Sequence, residues 1–463
     1  MALGSLSGQH CYSLLIFIIQ KQQTKCTFAI MVSIEKLYDI YKSNPLISTD
    51  SRSIIPGSLF FALRGPNFNG NSFAEMALSK GAAYVVIDEA AYQKNHQHLL
   101  VDDALKALQS LANYHRHQLK IPFLAITGSN GKTTTKELIR NVLSKKYRTV
   151  ATKGNLNNHI GVPLTILTVT MDTEFAVIEM GANHQKEIDS YCQITEPDYG
   201  LITNVGKAHL EGFGGFEGVK KGKGELYSRI SRHGKSIFLN GNNGELDAMI
   251  KEYKFSRIIR YGTDQEFYCS GELVSEQPLL KINWKCENKK GTINSQLVGY
   301  YNFENILSAV CVGNYFDVNP DDINDAIETY IPGNSRSQII KKNSNTIILD
   351  AYNANPTSME AALNNFRKIS ASHKIVFLGD MAELGEESFE EHKRIATILN
   401  GDKYDKVILV GKNFGEFSDG FNRLHFDDSG NAASWLKKNP IENSFILIKG
   451  SRPSQMEKIM EAL

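Results

Sequence analysis

From Ile121 onward, short apolar runs alternate with stretches whose apolar positions recur every three or four residues, the rhythm of strands followed by helices. The strands predicted this way are Phe123-Leu124-Ala125-Ile126, Phe175-Ala176-Val177-Ile178-Glu179, Tyr199-Gly200-Leu201-Ile202-Thr203-Asn204 and Ser236-Ile237-Phe238-Leu239-Asn240. Leu138, Ile139, Val142 and Leu143 mark the inner face of the helix after the first strand. This alternation predicts a mostly parallel sheet covered on both faces. The polar hinge Ile331-Pro332-Gly333-Asn334-Ser335-Arg336-Ser337 interrupts it. A second alternation follows, with strands at Thr346 to Asp350, Lys374 to Gly379, Lys406 to Gly411 and Ser444 to Gly450, and one helix face at Met359, Leu363 and Phe366. That is the pattern of a smaller, Rossmann-like doubly wound domain.

Before Ile121 the chain mixes short strands and helices, opening on an amphipathic helix with Ile34, Leu37, Tyr38 and Tyr41 at helical spacing. The fold class is therefore α/β in three domains, at about residues 31–120, 121–332 and 333–463, which suits 463 residues at about 150 per domain. Residues 1–30 stand apart. Their apolar block, Leu14 to Ile19, is too short for a membrane span of ~20 residues, and it lacks the basic start and small-residue cleavage site of a secretory signal. They are expected to be an upstream extension, disordered or absent from the native protein.

Lys and Arg total 51 against 50 Asp and Glu, a net charge of +1. No nucleic-acid partner or membrane surface is implied by that balance. Six cysteines, Cys11, Cys26, Cys192, Cys269, Cys286 and Cys311, lie scattered without CxxC pairing, which fits reduced thiols better than a disulfide framework or a zinc site. A cytoplasmic enzyme without stable membrane insertion, acting as a monomer, is the default expectation.

Candidate chemistry centres on Thr127-Gly128-Ser129-Asn130-Gly131-Lys132-Thr133-Thr134. The usual phosphate loop places four residues between its glycines, whereas Ser129 and Asn130 alone separate Gly128 from Gly131. The strand-loop-helix context is nevertheless that of a phosphate cradle: backbone N–H groups and the helix N-terminus attract anions, Lys132 reaches outer phosphates, and Thr133 offers its hydroxyl to Mg²⁺. An ordinary Gly-rich turn shares the same local pattern.

Ligands of parallel sheets sit beyond the carboxyl ends of the strands. Glu179 ends one strand where an acid can hold Mg²⁺, and His209 follows another by a short turn. Imidazole is an uncommon Mg²⁺ ligand, so His209 points to a second metal site. Asn155 and Asn158 belong to a polar, turn-forming loop, Lys153 to Pro163, suited to substrate contact. Asp350-Ala351-Tyr352-Asn353-Ala354-Asn355-Pro356 places an acid at a strand end before Asx-type turns. Arg336, in the hinge, can carry a cation to phosphates.

These motifs, taken in order with Glu179-Met180-Gly181-Ala182, Thr203-Asn204-Val205-Gly206-Lys207-Ala208-His209 and Asn302-Phe303-Glu304-Asn305, resemble those of the Mur ligases from about residue 31 to the C-terminus. The short loop is that family's form of phosphate loop. Asn155 to Pro163, Lys223-Gly224-Glu225 and Gly379-Asp380-Met381-Ala382-Glu383-Leu384-Gly385 resemble the branch that adds D-alanyl-D-alanine, and Thr49-Asp50-Ser51-Arg52 and Phe60 to Gly65 resemble its UDP-sugar-binding domain.

The resemblance implies an ATP-dependent ligase whose partners are UDP-N-acetylmuramoyl-tripeptide and D-alanyl-D-alanine, with ATP and two Mg²⁺ ions as cofactors. It implies Lys132, His209 and Lys223 as catalytic groups, with Lys223 at a position carbamylated in several family members. Gly128, Ser129, Asn130, Gly131, Lys132, Thr133, Thr134, Asn302, Asn305, Arg336 and Asp350 are implied nucleotide contacts. Thr133, Glu179 and His209 are implied metal ligands. Ser51, Arg52, Asn155, Asn158, Tyr352, Asn353 and Asn355 are implied substrate contacts, and Lys449-Gly450-Ser451-Arg452 resembles a segment near the acceptor. This chain carries Tyr301 where the family's adenine motif commonly has His. A sister ligase adding one amino acid, a folylpolyglutamate synthase, or an inactive nucleotide-binding scaffold are the other readings, separated by which acceptor drives phosphate release.

Overall fold

A computed structural model describes residues 31–276, 278–333, 335–419 and 423–463. The N-terminal extension, with Cys11 and Cys26, lies outside the described residues, as does Asn334 of the hinge. By its contacts the chain divides into two compact units, the first ending at Leu111 and the second running from Ala112 to Leu463.

The first unit begins with helix Ile34–Ser43, capped by the Ser33 hydroxyl and burying Leu37 and Tyr41. Its sheet is parallel throughout, in the order Ile47–Ser48, Leu59–Phe61, Tyr84–Ile87, His98–Leu100. Phe60, Val85, Ile87 and Leu100 form its core.

The second unit holds two sheets. The larger has nine strands in the spatial order Lys289–Asn294, Lys281–Cys286, Cys269–Ser275, Ile258–Gly262, Ser236–Asn240, Tyr199–Ile202, Phe123–Thr127, Phe175–Glu179, Thr149–Ala151. All five residues of Phe123–Thr127 are buried, as are all five of Phe175–Glu179, as expected for strands covered on both faces. Leu138, Ile139, Val142 and Leu143 of helix Lys132–Ser144 pack with Phe303, Ile306 and Val310 of helix Tyr301–Tyr315. Each such fully buried side chain contributes about 1.5–3 kcal/mol, so this core fixes the helix that starts at the glycine loop.

Three strands of this sheet, from Cys269 to Asn294, pair antiparallel with one another and fall outside the predicted alternation. The expectation of reduced thiols fails here. Cys269 and Cys286 face each other directly across two strands and are joined in a disulfide, a pairing set by hairpin register rather than by any sequence motif. Cys192 and Cys311 are free and buried.

The smaller sheet has the order Gln338–Lys342, Asn345–Asp350, Phe445–Lys449, Lys374–Gly379, Lys406–Val410, Arg423–Phe426. Only its first pair is antiparallel. Met359, Leu363 and Phe366 are buried on helix Pro356–Lys368, which Asn355 opens with a reciprocal capping box. The hinge is pinned to this sheet: Ala351 N donates to Ser335 O at 3.0 Å and Ser337 N to Asp350 Oδ1 at 3.2 Å.

Candidate active site

The loop Gly128 to Gly131 joins strand Phe123–Thr127 to helix Lys132–Ser144. From that strand the chain runs to one side of the sheet and then to the other, a switch point of the kind where crevices open. Gly128 has φ +141°, and a Cβ there would lie 2.0 Å from Thr203 Oγ1. Gly131, at φ +79°, would drive a Cβ to 2.6 Å from Asn305 Oδ1. Glycine is therefore required at both ends.

The loop is braced from outside. Asn130 N donates to Asn204 Oδ1 at 3.0 Å, and Asn130 O accepts from Thr203 Oγ1 at 2.6 Å. Ser129 Oγ accepts from Gly206 N at 2.9 Å, and Asn355 Nδ2 donates to Asn130 Oδ1 at 2.8 Å. Thr135 N is the first amide to turn back, to Gly131 O at 2.8 Å. The amides before it, at the helix start, have no intrahelical acceptor.

Around this loop lies a cleft of about 760 Å³, built wholly within the second unit. It gathers Ser129, Asn130, Gly131, Lys132, Thr133, Thr134, Asn155, Asn158, Glu179 and His209 from the larger sheet's side. It also gathers Asn302, Asn305, Arg336, Asp350, Tyr352 and Asn353. Gly128 underlies it, and Asn355 reaches it through Asn130. Ser51 and Arg52 belong to the first unit, where Arg52 forks onto Asp50 at 2.6–3.1 Å and holds that carboxyl down at about 2.

Glu179 is 1% exposed. Its Oε1 accepts from Thr133 Oγ1 at 3.1 Å and from Asn157 Nδ2 at 2.8 Å, while Oε2 has no hydrogen-bond partner. Lys132 is folded back onto its own loop, donating to Gly128 O at 2.6 Å and Ser129 O at 3.2 Å. Burial brings its ammonium down to about 8, opposed by the Glu179 carboxylate and reinforced by the Arg336 guanidinium.

His209 pairs through Nδ1 with Glu383 Oε2, and that hydrogen bond holds the Glu383 carboxyl below its ordinary range. Lys223 does not line the cleft. It is 1% exposed and donates to Ala182 O at 3.2 Å. Burial, then the charge of Lys132, holds it well below the ordinary lysine value, against Glu187 and Glu225.

Asn302 gives Nδ2 to Val298 O and takes Asn305 Nδ2 on its Oδ1, both at 2.8 Å. Tyr301 bonds Ser337 Oγ at 2.8 Å, tying the helix to the hinge. The Arg336 guanidinium lies 3.7 Å from the Tyr352 ring centre, with its buried Nε unpartnered. Arg452 stands 5.5 Å from the same ring. Lys449 is 1% exposed and donates to Asp350 Oδ2 at 2.5 Å.

Sequence reasoning did not single out Asn157, Glu383 or Lys136 as site residues. Asn157 and Glu383 lie within the motifs Asn155 to Pro163 and Gly379 to Gly385, which carry a signal; Lys136 has none beyond its position on the helix.

Residues 126–313 match the Mur ligase middle domain, residues 335–452 the Mur ligase glutamate ligase domain, and residues 45–116 the Mur ligase family catalytic domain. The chain is 33% identical over 429 residues to the UDP-N-acetylmuramoyl-tripeptide–D-alanyl-D-alanine ligase of Bacillus subtilis, covering 90% of this chain and 92% of the relative. It is 34% identical over 427 residues to the enzyme so named in Escherichia coli, covering 90% and 93%. Among solved structures it is similar to MurF from Acinetobacter baumannii, with a TM-score of 0.79 at 29% identity and 90% and 92% coverage. It is also similar to MurF from Thermotoga maritima in complex with ADP, with a TM-score of 0.79 at 25% identity and 90% and 96% coverage.

Proposed function

This chain belongs to the Mur ligase family, and from that membership we propose that it joins D-alanyl-D-alanine to UDP-N-acetylmuramoyl-tripeptide, converting ATP to ADP and phosphate. The observation that carries the chemistry is the buried Glu179 with one oxygen bonded and one open, beside a glycine loop and a row of helix-start amides.

The tripeptide's terminal carboxylate attacks the γ-phosphorus, the bond to ADP breaks, and an acyl phosphate forms. The dipeptide amine attacks the acyl carbon, phosphate leaves, and the amine gives up its proton as the amide forms. The helix-start amides hold the phosphate oxygens. Lys132 exchanges its two loop carbonyls for the transferring phosphoryl group, on which negative charge must be stabilised. Arg336, stacked on the Tyr352 ring, brings the hinge onto the nucleotide, and Asn302 and Asn305 shape the helix end beside it.

A divalent cation fits at Glu179 and Thr133. The unpartnered Oε2 and the hydroxyl are oxygen donors of the type Mg²⁺ takes, and the ion commonly completes its shell with water and substrate phosphates. When bound, Mg²⁺ neutralises phosphate charge. Among the described residues no group of three or more His, Cys, Asp and Glu side chains is gathered to hold a metal; water and the oxygens of a bound nucleotide would complete the shell. At a second ion, His209 would offer Nε2, its Nδ1 being taken by Glu383. Lys223 would join as a carbamate: its buried position favours the uncharged amine that adds to carbon dioxide with loss of a proton.

We assign residues 31–120, with Ser51 and Arg52, to the UDP-precursor, residues 121–332 to ATP, and residues 333–463 to the closing ligase domain, with Asn155, Asn158, Tyr352, Asn353 and Asn355 as substrate contacts. Among the described residues no helix is long and apolar enough to cross a membrane; we place the enzyme in the cytoplasm, as a monomer. The test is phosphate release from ATP and Mg²⁺ with UDP-N-acetylmuramoyl-tripeptide, comparing D-alanyl-D-alanine with lysine, diaminopimelate and no acceptor. Release and a mass gain with the dipeptide alone are expected. Release with a single amino acid would reject the acceptor, and silence with all would reject turnover.

A further inference from the structure

Lys136 sits on the first turns of helix Lys132–Ser144, and its ammonium is fully buried. It donates to Thr152 O at 2.5 Å, lies 2.9 Å from Glu137 Oε1, and stands 3.6 Å from Glu179 Oε2. Thr152 is a shared anchor: its carbonyl takes Lys136, and its hydroxyl accepts from Glu179 N at 2.9 Å. The ammonium therefore cannot swing away while strand and helix keep their places.

The contact with Glu179 is an ion pair without a hydrogen bond. Oε2 keeps its lone pairs for a ligand, yet faces a fixed positive charge. Glu137 offsets only part of that charge, since it is shared between Lys136 at 2.9 Å and Arg140 at 2.9 Å. Lys132 adds a second nearby cation. The oxygen meant for a divalent ion thus faces the Lys136 ammonium at 3.6 Å and lies in the field of Lys132.

We infer that Lys136 is a positioning residue that sets the order of binding: it keeps the Glu179 site from holding a divalent cation by itself, so that the metal is retained only with the phosphates of a nucleotide. Resting on the reading of Glu179 as a cation ligand, this goes beyond it by assigning the weakness of the empty site to one residue. A carboxylate compensated from inside stays aimed by Thr133 and Asn157 without a metal to hold it. A bare divalent ion meets repulsion there, whereas the Mg²⁺ complex of ATP brings oxygens enough to overcome it.

The experiment titrates Mn²⁺ alone into the full chain without nucleotide, following free Mn²⁺ by electron paramagnetic resonance. The unsubstituted protein is expected to show no binding below about millimolar Mn²⁺, and Lys136→Met to tighten it by about tenfold or more through loss of one neighbouring charge. The gain should vanish in Lys136→Met/Glu179→Gln. Lys136→Arg, which keeps the charge, should behave as the parent. Tight Mn²⁺ binding by the parent, or a folded Lys136→Met that binds no better, overturns the inference. If Lys136→Met does not fold, Lys136→Arg and the parent still decide: a gain in the arginine variant also overturns the charge account. Should Glu179→Gln leave binding of the Mg²⁺ complex of ATP unchanged, the reading of Glu179 itself fails, an outcome distinct from all of these.

Discussion

Glu179 and Asp350 make an instructive pair. Each ends a largely buried strand with a parallel neighbour, on both sides for Glu179 and on one side for Asp350, each is an acid, and both line one cleft. Their oxygens are used differently. Glu179 spends one on Thr133 and Asn157 and leaves the other open. Asp350 accepts Ser337 N on Oδ1 and Lys449 Nζ on Oδ2. The end of a parallel strand puts an acid at the rim but does not give it a task; the lone pairs that neighbours leave unclaimed do. Glu179 is arranged for a ligand from outside, while Asp350 joins the hinge to the neighbouring strand.

The largest expected effect is on the Glu179 side. Replacing Lys132 with Ala removes the one loop cation able to follow charge onto the transferring phosphoryl group, and phosphate release should fall by about 10³-fold. Binding of the UDP-precursor, measured by calorimetry, should persist; loss of both would mean that the division of labour between residues 31–120 and 121–332 is wrong. Next, Glu179→Gln keeps the shape and removes the anionic oxygen, so the Mg²⁺ concentration for half-maximal release should rise about tenfold or more. Unchanged metal dependence would remove Glu179 from the site. An equal shift in Asp350→Asn would erase the contrast between the two acids.

Much of this was legible because it is local. The strands at Phe175, Ser236 and Lys374 begin and end where the apolar runs do, and helix Lys132–Ser144 buries the four residues its spacing marks. Predicted strands ending at Asn204, Gly411 and Gly450 stop one or two residues sooner, where the chain turns to form the rim. Partnerships between distant residues were not legible. His209 meets Glu383 across 174 positions and Asp350 meets Lys449 across 99, and no window of sequence spans such pairs. Cys269–Cys286 was legible only in part: Lys281 to Cys286 alternates exposed and buried positions, the mark of a half-buried strand, but the residue facing Cys286 is fixed by hairpin register. The steady βα rhythm before it points to a parallel continuation, not to an antiparallel extension. Lys136 was hidden for another reason. A lysine on a helix is ordinarily a solvated residue, and only the fold shows this one to be sealed beside a carboxylate.

The smallest expected effect lies on the Asp350 side and should appear in stability before chemistry. Lys449 is 1% exposed, and its second hydrogen bond, to Asn353 O, is long at 3.4 Å. Asp350→Asn preserves an acceptor for Ser337 N but removes the countercharge, leaving a buried ammonium short of its partner at about 1–3 kcal/mol. Hydrogen exchange should report that loss as faster opening of strands Asn345–Asp350 and Phe445–Lys449, with the larger sheet unaffected. Lys449→Met on the same background should restore most of it, because replacing both members of a buried pair by apolar or neutral groups relieves the unpaired charge. A change in Mg²⁺ dependence from Asp350→Asn without such opening would show Asp350 serving a ligand and not its neighbours.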